Sequence, residues 1–173
     1  MDLNYIIIDN FLDKPDIVRQ SVISGQIPFN EKGKYPGVRC NPSYIQDDYR
    51  EMVRDKISQV LPYKLKFRDD SHCFAFQLCL EGSETWIHVD VSDWAGILYL
   101  NPDARVDSGT AMFDGGYDGK AEKPECINIV GNVYNRMVLF RGKNIPHASM
   151  VPGFGDSLDT GRLTQVLFFD LEE

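Results

Sequence analysis

An imidazole and a carboxylate stand two positions apart at His88 and Asp90, in a segment of alternating β-branched and aromatic residues. This alternation predicts a strand over residues 85–91. Because side chains alternate across a strand, His88 and Asp90 would project from the same face and could occupy adjacent corners of one coordination sphere. One further histidine would complete a 2-His-1-carboxylate face, so the spacing predicts a metal site.

Two other histidines could complete this set. His147 follows the apolar run 137–140, in a segment that suits a residue returned to the core, whereas His72 lies in a polar loop. A pair such as His88 and Asp90 also arises as a surface hydrogen bond or around a buried histidine. The spacing alone therefore leaves the third ligand open.

A cation within an apolar strand is the second chemical signal. Residues 162–169 are strongly apolar and predict a strand that carries Arg162 and Thr164 on one face. A guanidinium inside so apolar an element must be paired. An acidic side chain of the same chain is the simplest partner.

Composition predicts one globular domain. The chain has 173 residues, of which 43% are hydrophobic and 25% charged, enough for one core and too few to expect two. A net charge of −8 without basic runs disfavours nucleic acid as a partner. The four cysteines form no C-x-x-C pair, which favours free, largely buried thiols. The sequence shows no signal peptide or membrane span, so we expect a cytoplasmic protein that binds no membrane.

Helical patterns precede a long series of strands. The sequence predicts a strand over residues 3–8, a helix from an N-cap at Asp13 to near Gly25, and a second helix over residues 47–61 that Pro62 ends. The intervening residues 28–43 are rich in turn-forming residues and predict an ordered but mobile loop. Further strands are predicted over residues 73–80, 85–91, 95–100, 109–113, 126–130, 136–141, 145–150 and 162–169.

These elements predict a mainly β fold with N-terminal helices, a double-stranded β-helix (jelly roll). Residues 1–173 would form a single domain, with 1–62 as helical support and loop and 63–173 as the jelly-roll core. The Gly-rich residues 114–125 lack the strand-to-helix context of a phosphate loop, and we interpret them as a surface loop that could act as a lid.

Several motifs in fixed order resemble those of a known enzyme family. They are His88-Val89-Asp90, Tyr99-Leu100-Asn101 at the end of an apolar strand, Gly109-Thr110-Ala111-Met112-Phe113, and Asn135-Arg136-Met137-Val138-Leu139-Phe140. Together they resemble the prolyl-4-hydroxylase-like branch of the iron(II)- and 2-oxoglutarate-dependent dioxygenases. Within that branch the sequence is most similar to a small, uncharacterised microbial and phage family. The resemblance spans residues 88–170, and more loosely residues 15–19 and 36–39.

The resemblance implies a cofactor, a cosubstrate and their ligands. It assigns His88, Asp90 and His147 to iron(II), and Arg162 to the distal carboxylate of 2-oxoglutarate. It makes Tyr99 a hydroxyl donor to the same carboxylate, with Thr164 assisting. Gln77 stands in for a second tyrosine that some members place upstream. The implied activity is the hydroxylation of a small-molecule or peptide substrate by O2, with the substrate unidentified.

Two other functions compete with this interpretation. A zinc-dependent hydrolase could use the same three ligands with a water in the fourth position, but it leaves Arg162 and Tyr99 unexplained. A jelly-roll binding protein without turnover is the second, and the complete ligand set argues against it. Tyr99 could also be an ordinary core tyrosine.

The loop over residues 28–43 carries Arg39 ahead of the predicted sheet. We hypothesise that this loop closes over the metal and presents Arg39 to the primary substrate, because loops on a rigid scaffold commonly carry recognition. The alternative is a static loop in which Arg39 pairs with an acidic side chain.

Overall fold

The structure is a computed structural model that describes residues 3–69, 72–114 and 124–172. Two helices precede most of the strands: α1 spans Pro15–Ile23 and α2 spans Asp47–Val60. The strands are β1 (Tyr5–Ile8), β2 (Phe29–Glu31), β3 (Val38–Cys40), β4 (Leu65–Phe67), β5 (Phe76–Cys79), β6 (Trp94–Tyr99), β7 (Thr110–Phe113), β8 (Cys126–Val130), β9 (Met137–Phe140), β10 (His147–Ser149) and β11 (Arg162–Leu171).

The strands form two antiparallel sheets. The major sheet has the order β1-β9-β6-β11-β5-β3-β2, with β4 also paired to β11, and the minor sheet has the order β10-β7-β8. Strand β11 is the longest and lies at the centre, where it pairs with β4, β5 and β6. The last strand of the chain therefore fixes the register of strands from the first half.

One face of the major sheet packs on the helices. Leu163, Leu167 and Phe169 of β11 join the core cluster that contains Val22 of α1 and Val53 of α2. The alternate residues of β11 face the other way, toward the minor sheet. Each helix therefore buries one apolar stripe, and β11 presents an apolar face to these stripes.

A second apolar cluster joins the two sheets. Tyr99 and Phe140 of the major sheet pack with Met112 and Val130 of the minor sheet and with Ile145. The order is thus helices, major sheet, minor sheet, with a core in each gap. The prediction of a mainly β fold with N-terminal helices is confirmed, and the jelly roll remains a prediction at this point.

Three local predictions are wrong. Residues 85–91 form no regular strand, because their ladder is limited to a single bridge from His88 to His147. Residues 28–43, predicted as an ordered but mobile loop, contain β2 and β3, which extend the major sheet. Helix α1 is preceded by Lys14 rather than capped by Asp13, whose carboxylate instead pairs with the Lys56 ammonium at 2.9 Å.

The prediction of free, largely buried thiols is confirmed. All four cysteines are free, three of them buried, and Cys126 is exposed. None of the helices in the described ranges is long and apolar enough to cross a membrane. The proposed lid over residues 114–125 lies outside the described residues for all but its ends.

Replacing Leu167 with alanine tests the central position of β11. Leu167 is fully buried, so the change should lower the free energy of unfolding by about 2–5 kcal/mol. Ile127 on β8 is 61% exposed, and the matched change to alanine should stay within about 0.5 kcal/mol. Urea unfolding followed by circular dichroism measures both. Equal effects of the two substitutions would contradict the assignment of the core.

Candidate metal centre and its cavity

Backbone hydrogen bonds bring the three predicted ligands together. The amide of His88 donates to the carbonyl of His147 at 3.1 Å, and the amide of His147 donates back at 2.8 Å. The amide of Asp90 donates to the carbonyl of Gly142 at 2.9 Å. As a result, one ligand atom from each of His88, Asp90 and His147 lies within 4.8 Å of the other two. His147 Nε2 is 3.4 Å from Asp90 Oδ2. Such spacing suits a shared ion.

Each imidazole is oriented by its Nδ1 atom. His88 Nδ1 lies 3.0 Å from the carbonyl oxygen of Trp86, and His147 Nδ1 lies 2.9 Å from that of Ile145. A carbonyl only accepts hydrogen bonds, so each Nδ1 carries the proton and each Nε2 keeps its lone pair. Histidine ligands of metals are commonly held in this way. Both rings are therefore prepared to bind an ion through Nε2.

The surroundings of His147 keep it neutral. Burial lowers the pKa of its imidazole, the carboxylate of Asp90 opposes that change, and the neighbouring His88 adds to the lowering. The ring of Phe140 packs edge-on against it at 4.5 Å between centroids. A neutral imidazole is the form that binds metals, so the apolar packing favours the competent state.

Gly142 makes room for the carboxylate ligand. A Cβ atom at this position would lie 3.0 Å from both Cβ and Oδ2 of Asp90, and 3.2 Å from Cβ of Ala95. These distances are shorter than ordinary van der Waals contacts. Gly142 also accepts the hydrogen bond from the Asp90 amide, so one residue fixes the backbone and leaves space for the side chain.

Arg162 is buried without an acidic partner. It is 2% exposed, its Nε donates to the carbonyl of Ser108 at 3.2 Å, and its Nη2 has no hydrogen-bond partner. No Asp or Glu among the described residues lies within ion-pair distance of it. A buried guanidinium needs a partner for its charge, and the described part of the chain supplies no acidic one.

Arg162 shares a cavity with the three predicted metal ligands. The cavity lies between the two sheets, and His88, Asp90, His147 and Arg162 all line it. The structure therefore brings into one cavity the four residues that the sequence most strongly predicts to be functional.

The remaining predicted residues are placed differently from one another. Thr164 lines the cavity. Tyr99 is fully buried behind it, and its hydroxyl lies 2.7 Å from the hydroxyl of Thr110, which does line the cavity. Burial raises the pKa of Tyr99, so its hydroxyl stays protonated and can donate. Thr110 is thus a cavity residue that the sequence did not single out, because its role follows from its contact with Tyr99.

Gln77 lines the cavity with its amide engaged. Its Oε1 accepts from Arg39 Nε at 2.8 Å, and its Nε2 donates to the carbonyl of Pro36 at 3.0 Å. Gln77 therefore holds the segment that the sequence predicted as a lid. That segment forms one wall of the cavity through Tyr35, Pro36 and Arg39.

Arg39 stacks on an aromatic ring in this wall. Its guanidinium carbon lies 4.0 Å from the ring centroid of Tyr35, a cation–π arrangement. Burial lowers the pKa of Arg39 to about 10, so the side chain stays charged at neutral pH. The predicted ion pair with an acidic side chain is absent from the described residues. His72, the rival ligand, packs against Tyr35 and lies outside the metal cluster.

Comparison with known proteins supports the fold. No family model and no curated protein matches the chain. Among solved structures, a prolyl-4-hydroxylase from Pseudomonas putida aligns with a TM-score of 0.57 at 19% identity, over 98% of this chain and 94% of that one. A prolyl hydroxylase from Trichoplax adhaerens, solved with a peptide fragment of the hypoxia inducible factor oxygen degradation domain, gives a TM-score of 0.62 at 14% identity, over 96% and 84% of the two chains.

A third similar structure contains small molecules. HygX from Streptomyces hygroscopicus, solved with nickel, 2-oxoglutarate and hygromycin B bound, gives a TM-score of 0.61 at 10% identity, over 96% of this chain and 82% of that one. At these identities the likeness shows the fold alone. The resemblance to prolyl-hydroxylase-like oxygenases is confirmed at that level, and the narrower match to a small microbial and phage family stays a prediction.

Replacing His147 with alanine should weaken cobalt(II) binding by more than about 100-fold. Removing a residue that only hydrogen-bonds to a metal ligand typically lowers the metal affinity roughly 10–100-fold, and loss of the ligand itself should cost more. Titration of the metal-free protein, followed by visible absorbance, measures the affinity. His72→Ala is the matched control and should bind cobalt(II) like the original chain. Equal losses in the two variants would contradict the assignment of His147.

Replacing Gly142 with alanine tests the space beside Asp90. The added methyl group should displace the carboxylate and weaken cobalt(II) binding by roughly tenfold, as for other changes that misorient a ligand. The melting temperature of the metal-free variant serves as the control, since a purely structural defect would lower it without a selective loss of affinity. Unchanged cobalt(II) affinity would show that the carboxylate does not need this space.

Proposed function

We propose that the chain is an iron(II)- and 2-oxoglutarate-dependent dioxygenase that hydroxylates a small-molecule or peptide substrate. The observation that carries this proposal is the guanidinium of Arg162, which is buried in the cavity of His88, Asp90 and His147 with one nitrogen unpartnered. A dicarboxylate bound at the metal would supply the missing acceptor. Guanidinium and carboxylate groups form strong, charge-assisted hydrogen bonds, and arginine keeps its charge when buried.

The residues present fit both groups. Two imidazole Nε2 atoms and one carboxylate form the 2-His-1-carboxylate set that suits iron(II) and leaves positions open for other ligands. Arg162 would bind the distal carboxylate of 2-oxoglutarate, with the hydroxyls of Thr110 and Thr164 in the same cavity. The likeness in fold to HygX, of which structures exist with iron and with nickel and 2-oxoglutarate, supports this choice.

Bound iron(II) and 2-oxoglutarate would supply the oxidation of a substrate C–H bond by O2, with succinate and carbon dioxide as by-products. The chain's own residues have three tasks. His88, Asp90 and His147 hold the ion. Arg162 orients the cosubstrate, and Phe140 and Phe168 line the cavity with apolar surface that limits access of water.

Tyr99 would act through Thr110 rather than alone. Its hydroxyl is 2.7 Å from that of Thr110, and Thr110 lines the cavity while Tyr99 does not. If Tyr99 donates to Thr110, the hydroxyl proton of Thr110 is free to donate to a carboxylate. We therefore propose Tyr99 as a positioning residue and Thr110 as a direct contact. Gln77 would position Arg39 by its hydrogen bond to Nε.

Replacing Arg162 with methionine tests the proposal. Loss of a buried, charge-assisted pair should cost on the order of 2–5 kcal/mol, which is at least about 30-fold in the affinity for 2-oxoglutarate. Calorimetric titration of the zinc-loaded protein with 2-oxoglutarate measures the affinity without turnover. Cobalt(II) affinity of the same variant should stay within about threefold of the original, because Arg162 is not a ligand.

Arg50→Met is the matched control. Arg50 lies on α2, outside the cavity lining, and its replacement should leave 2-oxoglutarate affinity unchanged. The proposal would be overturned if Arg162→Met bound 2-oxoglutarate like the original chain, or if the iron-loaded original formed no succinate from 2-oxoglutarate. A metal-dependent hydrolase with the same ligands would give both of these results.

A further inference from the structure

We propose that Arg39, Tyr35 and Thr85 form a second anion subsite, which binds a carboxylate of the primary substrate. The inference rests on the proposed function, since it names the substrate class of that same cavity. All three side chains line the cavity that contains the metal ligands. The substrate would thus be a small carboxylic acid or another molecule with a free carboxylate near the C–H bond that reacts.

Arg39 is a buried cation with unused donors. It is 9% exposed, and its only hydrogen bond among the described residues runs from Nε to Gln77 Oε1 at 2.8 Å. This bond and the Tyr35 ring fix the guanidinium plane and leave both Nη nitrogens without a protein acceptor. A fork of two adjacent N–H donors matches the two oxygens of a carboxylate.

Two buried hydroxyl groups of the same cavity also lack hydrogen-bond partners among the described residues. The oxygens of Tyr35 and Thr85 are buried, and neither makes a hydrogen bond. Most buried polar atoms in native proteins are hydrogen-bonded, and an unsatisfied one costs free energy. Two such hydroxyls and a buried guanidinium along one cavity indicate a missing acceptor. This signal is independent of the unpartnered nitrogen of Arg162.

This subsite is distinct from that of Arg162. Arg39 on β3 lies opposite Gln77 on β5, and Gln77 lies opposite Thr164 on β11, the strand that carries Arg162. Strands β3 and β11 are therefore separated by β5, which places their axes about 10 Å apart. Because the two side chains start from strands that are not neighbours, we infer that they bind two different groups.

Charge balance favours a single negative charge on the substrate. In the proposed complex, the charges of iron(II) and Arg162 are cancelled by Asp90 and the two carboxylates of 2-oxoglutarate. Among the described residues no carboxylate lies within ion-pair distance of Arg39: Asp90, which raises its pKa through space, would be neutralised by the metal, and Glu31, its partner across the β2–β3 ladder, accepts a hydrogen bond from Asn41. A monoanionic carboxylate would neutralise the cavity. Because an uncompensated buried charge costs free energy, a carboxylate should bind this cavity in preference to a neutral group.

Acetate is a suitable probe, because it carries the proposed group and little else. We would titrate acetate into the 15N-labelled protein, loaded with zinc(II) and saturating 2-oxoglutarate, at constant ionic strength set by chloride. The Nε–H resonance of Arg39 should shift saturably, with a Kd on the order of 10 mM. Acetamide, the neutral isostere, should cause no shift. The Nε–H of Arg19, a buried arginine already paired with Asp159 at 2.9 Å, is the internal control.

Substitutions separate the groups. Tyr35→Phe and Thr85→Val should each weaken acetate binding, followed by the Arg39 Nε–H shift, by roughly three- to tenfold, and Arg39→Met should weaken it by at least about tenfold in a calorimetric titration. Tyr44→Phe, at an exposed tyrosine outside this cavity, should have no effect. Because Tyr35→Phe and Thr85→Val remove only a hydroxyl or exchange it for a methyl, they keep the test valid even if Arg39→Met fails to fold.

Three results would overturn the inference. They are an unmoved Arg39 resonance, equal shifts with acetate and acetamide, and an acetate shift that occurs in the zinc-loaded protein only when 2-oxoglutarate is left out, which would assign Arg39 to the cosubstrate. The same acetate titration of the metal-free protein separates a failure of this inference from a failure of the proposed function. A shift of Arg39 there, without any binding of 2-oxoglutarate to the zinc-loaded form, would leave the subsite standing and reject only the oxygenase.

Discussion

The reciprocal hydrogen bonds between the backbones of His88 and His147 are the constraint on which the site depends. Strand β10 is three residues long, and one of its edges is paired with β7. On the other edge, His88 pairs with His147 in a single bridge. Because side chains alternate along extended backbone, a slip of one residue would turn His147 or His88 away from Asp90. Two bonds of 3.1 and 2.8 Å therefore bring a loop and a strand, 59 positions apart by residue number, to one point.

A row of polar side chains crosses the major sheet at the cavity, which its first three members line and behind which Tyr99 lies. In register order, Arg39 faces Gln77, Gln77 faces Thr164, and Thr164 faces Tyr99. All four are nearly or fully buried, so each needs a hydrogen-bond partner. The major sheet tolerates these buried polar side chains because the opposite face of the same strands is apolar and packs on the helices. The helices thus stabilise a sheet whose other face is reserved for ligands.

The sequence predicted which side chains meet better than it predicted the elements that hold them. The spacing of His88 and Asp90 survives in extended backbone even though no strand forms there, because only the alternation mattered. Strands β2 and β3 were missed because three-residue strands flanked by Pro and Gly carry no periodicity, and their pairing comes from tertiary context. Thr110 and Gly142 were missed for a related reason: their roles follow from contacts with Tyr99 and Asp90, which local patterns do not encode.

Unpartnered buried cations link ligand binding to stability. Arg162 and Arg39 line one cavity as buried guanidinium groups without an ion-pair partner among the described residues, and an uncompensated buried charge disfavours the folded state. Ligands that neutralise them bind the native state alone, and so raise its stability by an amount that grows with the ligand concentration. The same feature sets selectivity, since a ligand without a carboxylate at the correct position leaves the cost in place. A cavity of this kind would favour anions, because they would compensate the buried positive charges of Arg39 and Arg162.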